Sequence, residues 1–371
     1  MPYEVIFLAG TCLIIGFSAG FIMHRSDYCM AGMFRDLFLF RATFMLRTLM
    51  LLIVSAMVLF EGARFLNLLP FYPFPLLGSL SFSNIIGGFL FGLGMVLAGG
   101  CVVGTLYKMG AGSLLSLTAF SGLIIGSGLY AEIHPSWSVF ARNTALFPGI
   151  VTLPQLIGCD PYVIVLPTVI VSMFFFWKWH QRGLWLRQAY ADGYLQPWRA
   201  ATGLALINLC SYCIVGMPME ITTTYAKIAG FFERFLWPQH FAALVYFQGQ
   251  PLNVRLSRFD LQLVGGGAPG LDAIAYIQGP VIVGIILGSL FSAIRLGEFS
   301  LRWRLPLRQY GSVLVGGIIM GLASRMAPGC NVWHLLGGLP ILALQSFFFL
   351  AGLLPGAWFG ARLLAGFILR T

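Results

Sequence analysis

Nine stretches of mostly apolar residues punctuate the chain, at 4–23, 43–60, 82–99, 113–131, 161–177, 200–217, 276–294, 310–326 and 340–360. Each is close to the roughly 20 residues a helix needs to cross the hydrocarbon core of a bilayer. Other pieces are too apolar for ordinary loops and too short to span: 24–42, 101–112, 218–248 and 328–339. Non-helical backbone survives at membrane depth only inside protein or beside a watery cavity. The pattern therefore predicts an all-α membrane protein with about nine transmembrane helices plus short re-entrant or surface-lying helices.

The pattern also repeats. Residues 87–101 read GGFLFGLGMVLAGGC and residues 316–330 read GGIIMGLASRMAPGC, at a constant offset of 229. A weaker echo links SDYCMAGMFRD (26–36) to PMEITTTYAK (218–227) and sets Cys29 opposite Ile221. With nine spans, the two copies enter the membrane from opposite sides. The expected organisation is a first repeat over 1–160 with four spans, a linker helix and basic loop over 161–199, and a second repeat over 200–371 with four spans. Inverted repeats related by a pseudo-two-fold axis in the membrane plane are the architecture of many transporters, with the substrate site at the repeat interface. Two halves could pack without any transport role, but broken helices at matched positions would then have no explanation.

Composition agrees. Hydrophobic residues make up 58% of the 371 and charged residues 9%, against roughly 25% charged in soluble domains. Glycine is abundant, at 45, as expected where helix backbones approach closely in a membrane. The net charge of +10 sits in short loops rather than in one aromatic-laced run, which argues against a nucleic-acid surface. With the N-terminus outside, fourteen of the 22 Lys and Arg fall in inner loops and six in outer ones, while Arg47 and Arg325 lie within spans. The positive-inside bias favours N-terminus out and C-terminus in. The apolar opening segment lacks a basic n-region and a small-residue cleavage site, so it reads as a retained helix. The seven cysteines have neither zinc-finger spacing nor a crowded secreted arrangement.

Cys101 and Cys330 occupy equivalent repeat positions. Each follows a glycine, Gly100 or Gly329, and precedes a short segment, VVGTLYKMG or NVWHLLGG. Glycine permits a break, Pro328 sharpens the second one, and a helix restarting there aims free N–H groups at the cysteine, as anion sites require. A thiol adds a weak donor; a buried cysteine is otherwise only a small apolar residue. Cys29, in HRSDYCMAG, follows the first span, with Arg25 and Asp27 at the cavity or its cytoplasmic rim. Thr105, Tyr107 and Lys108 follow Cys101, and Asn331 and His334 follow Cys330; all supply donors. Lys108 either attracts an anion or snorkels. His334 either shuttles a proton or bonds a neighbour. Glu220 either relays protons or caps a short helix. Cys210 and Cys213 suit packing better than redox chemistry, and Cys12 and Cys159 have no supporting context. No P-loop, H-E-x-x-H or zinc-ligand cluster is present, which argues against an ATP-driven pump, a membrane protease, a resident metal or any other cofactor.

These residues resemble the YeeE/YedE sulfur-transport family of bacterial inner-membrane proteins. The likeness rests on Arg25-x-x-x-Cys29 with the AGMFRD that follows, GGCVVGTLYKMGAG at 99–112, PGLDAIAYIQGP at 269–280, and PGCNVWH at 328–334 with Gln345-Ser346 in the next helix. It implies an hourglass-shaped pseudo-symmetric fold and a path lined by Cys29, Cys101 and Cys330. It also implies a transporter, not an enzyme, that takes up thiosulfate or a related small sulfur anion, with selenium species as the relatives' alternative. Trp333 departs from the family's usual glycine and would narrow the path. The basic loop WKWHQRGLWLRQAYADGYLQPWR is a candidate docking site for a cytosolic sulfurtransferase of the TusA type. Two further readings compete: a membrane sulfurtransferase passing a persulfide from Cys101 to Cys29, and a non-transporting scaffold for sulfur-relay proteins.

The topology is testable with reporter fusions at Gly193, Gly266 and Thr371. They are expected to report cytoplasm, periplasm and cytoplasm; a cytoplasmic signal at Gly266 would overturn the nine-span order.

Overall fold

A computed structural model describes residues 3–189, 193–301 and 306–368. Of the inner-loop charges, Arg302, Arg304 and Arg370 lie outside the described residues, as do the reporter position Thr371 and residues 190–192 of the basic loop. The first half contains α1 (Tyr3–Ser26), α2 (Met30–Phe40), α3 (Phe44–Phe65), β1 (Leu80–Ser81), α4 (Phe82–Leu97), α5 (Val102–Gly110), α6 (Leu114–Asn143), β2 (Ala145–Leu146) and α7 (Leu153–Ile157). Then come α8 (Tyr162–Gln181), α9 (Pro197–Val215), α10 (Thr222–Leu236), α11 (Pro238–Ala243), α12 (Val245–Gln248), the hairpin β3 (Leu252–Leu256) and β4 (Leu261–Gly265), α13 (Ala273–Arg295) and α14 (Leu307–Met326). A wide π-type turn, Val332–Gly338, leads through a 3₁₀ turn into α15 (Leu344–Leu363).

The chain is an all-α membrane protein. Every apolar stretch named from sequence falls on a helix, and eight described helical segments are long and apolar enough to cross a membrane. The ninth, α14, is 20 residues long but more polar, carrying Arg308 and Arg325. The four intervening pieces each contain a short helix: α2, α5, α10 and the π turn. Residues 228–248, nearly long enough to span, are broken at Trp237-Pro238 and again at Leu244. Helix α8 lies at the edge, with Val165 its only buried residue.

The long helices pack as pairs: α1 on α13, α3 on α9, α4 on α15 and α6 on α14, with α4 crossing α14 and α1 meeting α9 at the centre. Three of these pairs interlock through glycines four residues apart. Gly16 and Gly20 face the Val281 and Ile285 carbonyls, and Gly284 and Gly288 face those of Leu13 and Phe17. Gly88 and Gly92 on α4 answer Gly352 and Gly356 on α15. Gly122 and Gly126 on α6 answer Gly317 and Gly321 on α14. At all twelve a Cβ would fall within 3.0 Å of the opposite backbone. Lipid tails are as apolar as leucine, so close backbone approach and its dispersion energy drive this association.

Local chemistry fixes where helices begin. Ser81 and Asn84 close a capping box on α4, with Ser83 N donating to Ser81 Oγ at 3.1 Å and Ser81 N to Asn84 Oδ1 at 3.0 Å. Asp272 caps α13, accepting from Ala275 N at 3.0 Å, and pairs with Lys227 Nζ at 2.6 Å. A backbone bridge between Thr152 and Ala343 anchors the start of α15.

Gly88→Ala or Gly356→Ala is expected to destabilise the protein by about 1–3 kcal/mol through overpacking. Gly10, with nothing within 4 Å of its added Cβ, is the control: Gly10→Ala should be neutral or stabilising by up to about 1 kcal/mol. Thermal unfolding in detergent compares them; equal effects would remove the special status of the paired glycines.

Candidate functional site

Cys29, Cys101 and Cys330 all sit where a long helix has stopped and a short one begins. Cys29 and Cys101 are the N-cap residues of α2 and α5, and Cys330 stands next to Asn331, the N-cap of the π turn. Ile221, set opposite Cys29 by the weaker sequence echo, is likewise the N-cap of α10. All three cysteines are buried, Cys101 and Cys330 with no exposed surface. The Cys101 sulfur accepts from Gly104 N at 3.3 Å. Cys29 and Cys330 close no such bond, though their sulfurs face the amides of Gly32 and of Val332 and Trp333.

Gly104 is the meeting point of two thiols. A Cβ there would lie 2.9 Å from Cys29 Sγ and 3.2 Å from Cys101 Sγ, which puts the sulfurs side by side over a bare stretch of α5. Asn331 reaches across from the second half, donating to Met30 Sδ at 3.0 Å beside Cys29 and lying against Cys101. Tyr225, on α10, is fully buried, and its hydroxyl lies within electrostatic reach of both Cys101 and Cys330. Five buried side-chain atoms without a protein partner belong to the short segments α5 and α10 and the one after Cys330: Thr105 Oγ1, Tyr225 Oη, Asn331 Oδ1, Trp333 Nε1 and His334 Nε2. Unpaired buried groups are few in folded proteins and each calls for a reason. A hydrogen-bonding guest would need free groups of this kind.

The other expected residues divide. Tyr107 donates to Asp27 Oδ1 at 3.0 Å on the Cys29 side. Lys108 donates to the Gly99 carbonyl at 2.8 Å, fastening the break between α4 and α5, and its charge acts on Cys29. The first-half break itself sits one residue earlier than expected: Gly99 has φ +67°, while Gly100 rests against Thr105. Gly329, with φ +121° and the Trp333 ring packed on it, is the break in the second half. His334 bonds Ser346 Oγ at 3.1 Å and stacks on Phe349 at 4.1 Å. Gln345 accepts from Gly78 N at 3.1 Å. Arg25 points away from the thiols and donates to the Gly193 carbonyl at 2.9 Å, pinning the basic loop. Cys210 is exposed on α9, so packing does not explain it.

Sequence reasoning gave Arg325 no role. It lies at the wall of a cavity of about 750 Å³ bounded by Gly78, Tyr130, His134, Glu220, Tyr246, Gly329 and Trp333. Its partner Glu220 is 105 residues away in the chain. The available signal was in the repeat, where Arg325 stands opposite Val96. Trp333 and Gly329 form the inner wall, with Cys330 next in sequence and wholly covered.

A family model described as sulphur transport matches residues 25–359. The chain belongs to the sulphur transport family. Within it, the thiosulfate transporter TsuA of Spirochaeta thermophila is 29% identical over 366 residues, covering 94% of this chain and 98% of that one. TsuA of Escherichia coli matches more locally, 36% over 126 residues and about a third of each chain. The probable transporter YedE of Escherichia coli is 34% identical over 86 residues, 23% of this chain and 21% of its own. A sulphur transport protein of this family is a multi-pass membrane transporter rather than an enzyme, and the buried cysteines are read accordingly.

If Trp333 is the barrier between cavity and thiol, Trp333→Ala should speed modification of Cys330 by a small impermeant thiol reagent on the order of tenfold, since access limits a buried thiol. Peptide mass spectrometry, in a background with the exposed Cys210 replaced by Ser, reads the rate. An unchanged rate would show that the ring is not the barrier.

Proposed function

We propose that this protein imports thiosulfate, or a closely related small sulfur-containing anion, across a bacterial inner membrane. The convergence of three buried cysteines from both halves carries the reading, and the full-length likeness to a thiosulfate transporter supports it. The anion would enter the cavity beside Arg325, pass Trp333 to Cys330, move along Tyr225 to the Cys101–Cys29 pair, and leave past Tyr107 and Asp27. The thiols and unpaired donors replace part of its hydration at successive weak sites. Weak sites suit transport because the ion must leave as well as enter.

The two halves act as inverted repeats in this reading. Exchanging α1, α3, α4 and α6 for α9, α13, α14 and α15 maps each observed pairing onto another: α1–α13 becomes α9–α3, and α4–α15 becomes α14–α6. The N-terminus is then periplasmic and the C-terminus cytoplasmic. The loop after α8 faces the cytoplasm, where Lys178, Arg182, Arg187 and Arg199 offer a basic surface to a TusA-like sulfurtransferase.

Cys101→Ala and Cys330→Ala should each lower thiosulfate uptake into proteoliposomes about tenfold, the worth of one hydrogen bond of about 1.4 kcal/mol. Gly104→Ala should do the same by wedging a methyl between Cys29 and Cys101, while favouring helix α5. Wild-type uptake in all three variants would remove the cysteine path.

A further inference from the structure

The cavity wall contains a buried ion pair whose two members are unequally held. Arg325 and Glu220 are each about nine-tenths buried, and Arg325 Nη2 lies 3.5 Å from Glu220 Oε1. Glu220 is better bound by others: Gln278 Nε2 donates to its Oε2 at 3.2 Å and Thr222 Oγ1 to its Oε1 at 3.1 Å. Arg325 donates to the hydroxyls of Thr223, at 2.9 Å, and Thr222, which leaves its Nε without a partner. Neutral hydroxyls and one long ionic contact are a poor shell for a guanidinium, whose planar fork suits a bidentate oxyanion.

The rest of the cavity sharpens the point. Among the described residues its wall holds no Lys, Arg, Asp or Glu besides this pair, so the two charges cancel. An anion gains little from Arg325 while Glu220 neutralises it, and gains a full charge once that contact is given up. Gln278 and the threonines hold Glu220 in place when Arg325 lets go.

We propose that the Arg325–Glu220 pair is an exchange site, where an incoming oxyanion replaces Glu220 as the partner of the Arg325 guanidinium before it meets Cys330. The proposal rests on the transport reading for the anion's identity, but it concerns binding and is tested without flux. The other charged or titratable groups around Glu220, among the described residues, are Arg325 on α14, Tyr130 and His134 on α6, Tyr246 on α12, and Cys330. Lys227 and Asp272 are paired with each other. His134 lines the same cavity, so His134→Gln is the necessary control.

Equilibrium binding of radiolabelled thiosulfate to purified protein in detergent at neutral pH decides the matter. Glu220→Gln should bind about tenfold tighter, because the competitor is removed. Arg325→Gln should bind on the order of 100-fold more weakly. That variant strands a buried carboxylate and can misfold, so the double variant Glu220→Gln/Arg325→Gln is included; it should fold, by size-exclusion profile, and fail to bind. His134→Gln should bind as the wild type does. Weaker binding by Glu220→Gln, retained binding by the double variant, or loss of binding with His134 would each overturn the exchange site. Wild-type protein that binds in this pattern yet shows no uptake would sink the transport reading and leave the exchange site standing.

Discussion

Glycine-mediated contact of one helix backbone with another is the constraint on which this structure rests. In lipid no hydrophobic gain separates a packed helix from a solvated one, so the helices must touch closely or not associate. The α1–α13, α4–α15 and α6–α14 seams each place two glycines of one helix on carbonyls of the other. Because α4 also crosses α14 at Gly94 and Gly316, the last two of these seams are joined. The ends of α4 and α14, and so the breaks that follow them, are held against rigid backbone rather than against adaptable side chains.

The chemistry is placed by those ends. A helix that stops in the protein interior leaves unpaired carbonyls, and the short helix that follows leaves unpaired amides. Lys108 answers the first need at Gly99, and the Cys101 sulfur answers part of the second at Gly104. A cysteine is a weak cap compared with serine or aspartate. In the proposed path that weakness would be useful: the amide and the thiol would stay available to a passing anion, whereas a carboxylate would repel it and a strong cap would hold the amide for itself.

Much of this was legible in the chain. The apolar stretches and the short apolar pieces between them depend on local sequence, and each falls on a helix. What was not legible depends on partners distant in sequence. Arg25 looked like a site residue because it neighbours Cys29, but its guanidinium is taken by Gly193, 168 residues on. Arg325 looked like an isolated charge in a span because Glu220 stands just before α10 and Thr222 and Thr223 begin it, some hundred residues away in the chain. Tyr225 carried no signal at all, since an aromatic residue in an apolar stretch is ordinarily core. The displacement of the first break from Gly100 to Gly99 lies below what residue identity can resolve when both are glycine.

The differences between the halves matter as much as their likeness. Two identical halves would give a path with the same sites in both directions and no preferred mouth. Here Val96 is answered by Arg325, Gly104 by Trp333 and Cys29 by Ile221. Arg325, Glu220 and Trp333 come from the second half of the chain and wall the cavity together with Tyr130 and His134 of the first, whereas Cys29, Cys101 and the bare Gly104 between them all belong to the first half. Charge acts over several ångströms, while thiols act only at contact. On the proposed path, the guanidinium would therefore serve to gather an anion from water and the thiol pair to pass it through a dry interior.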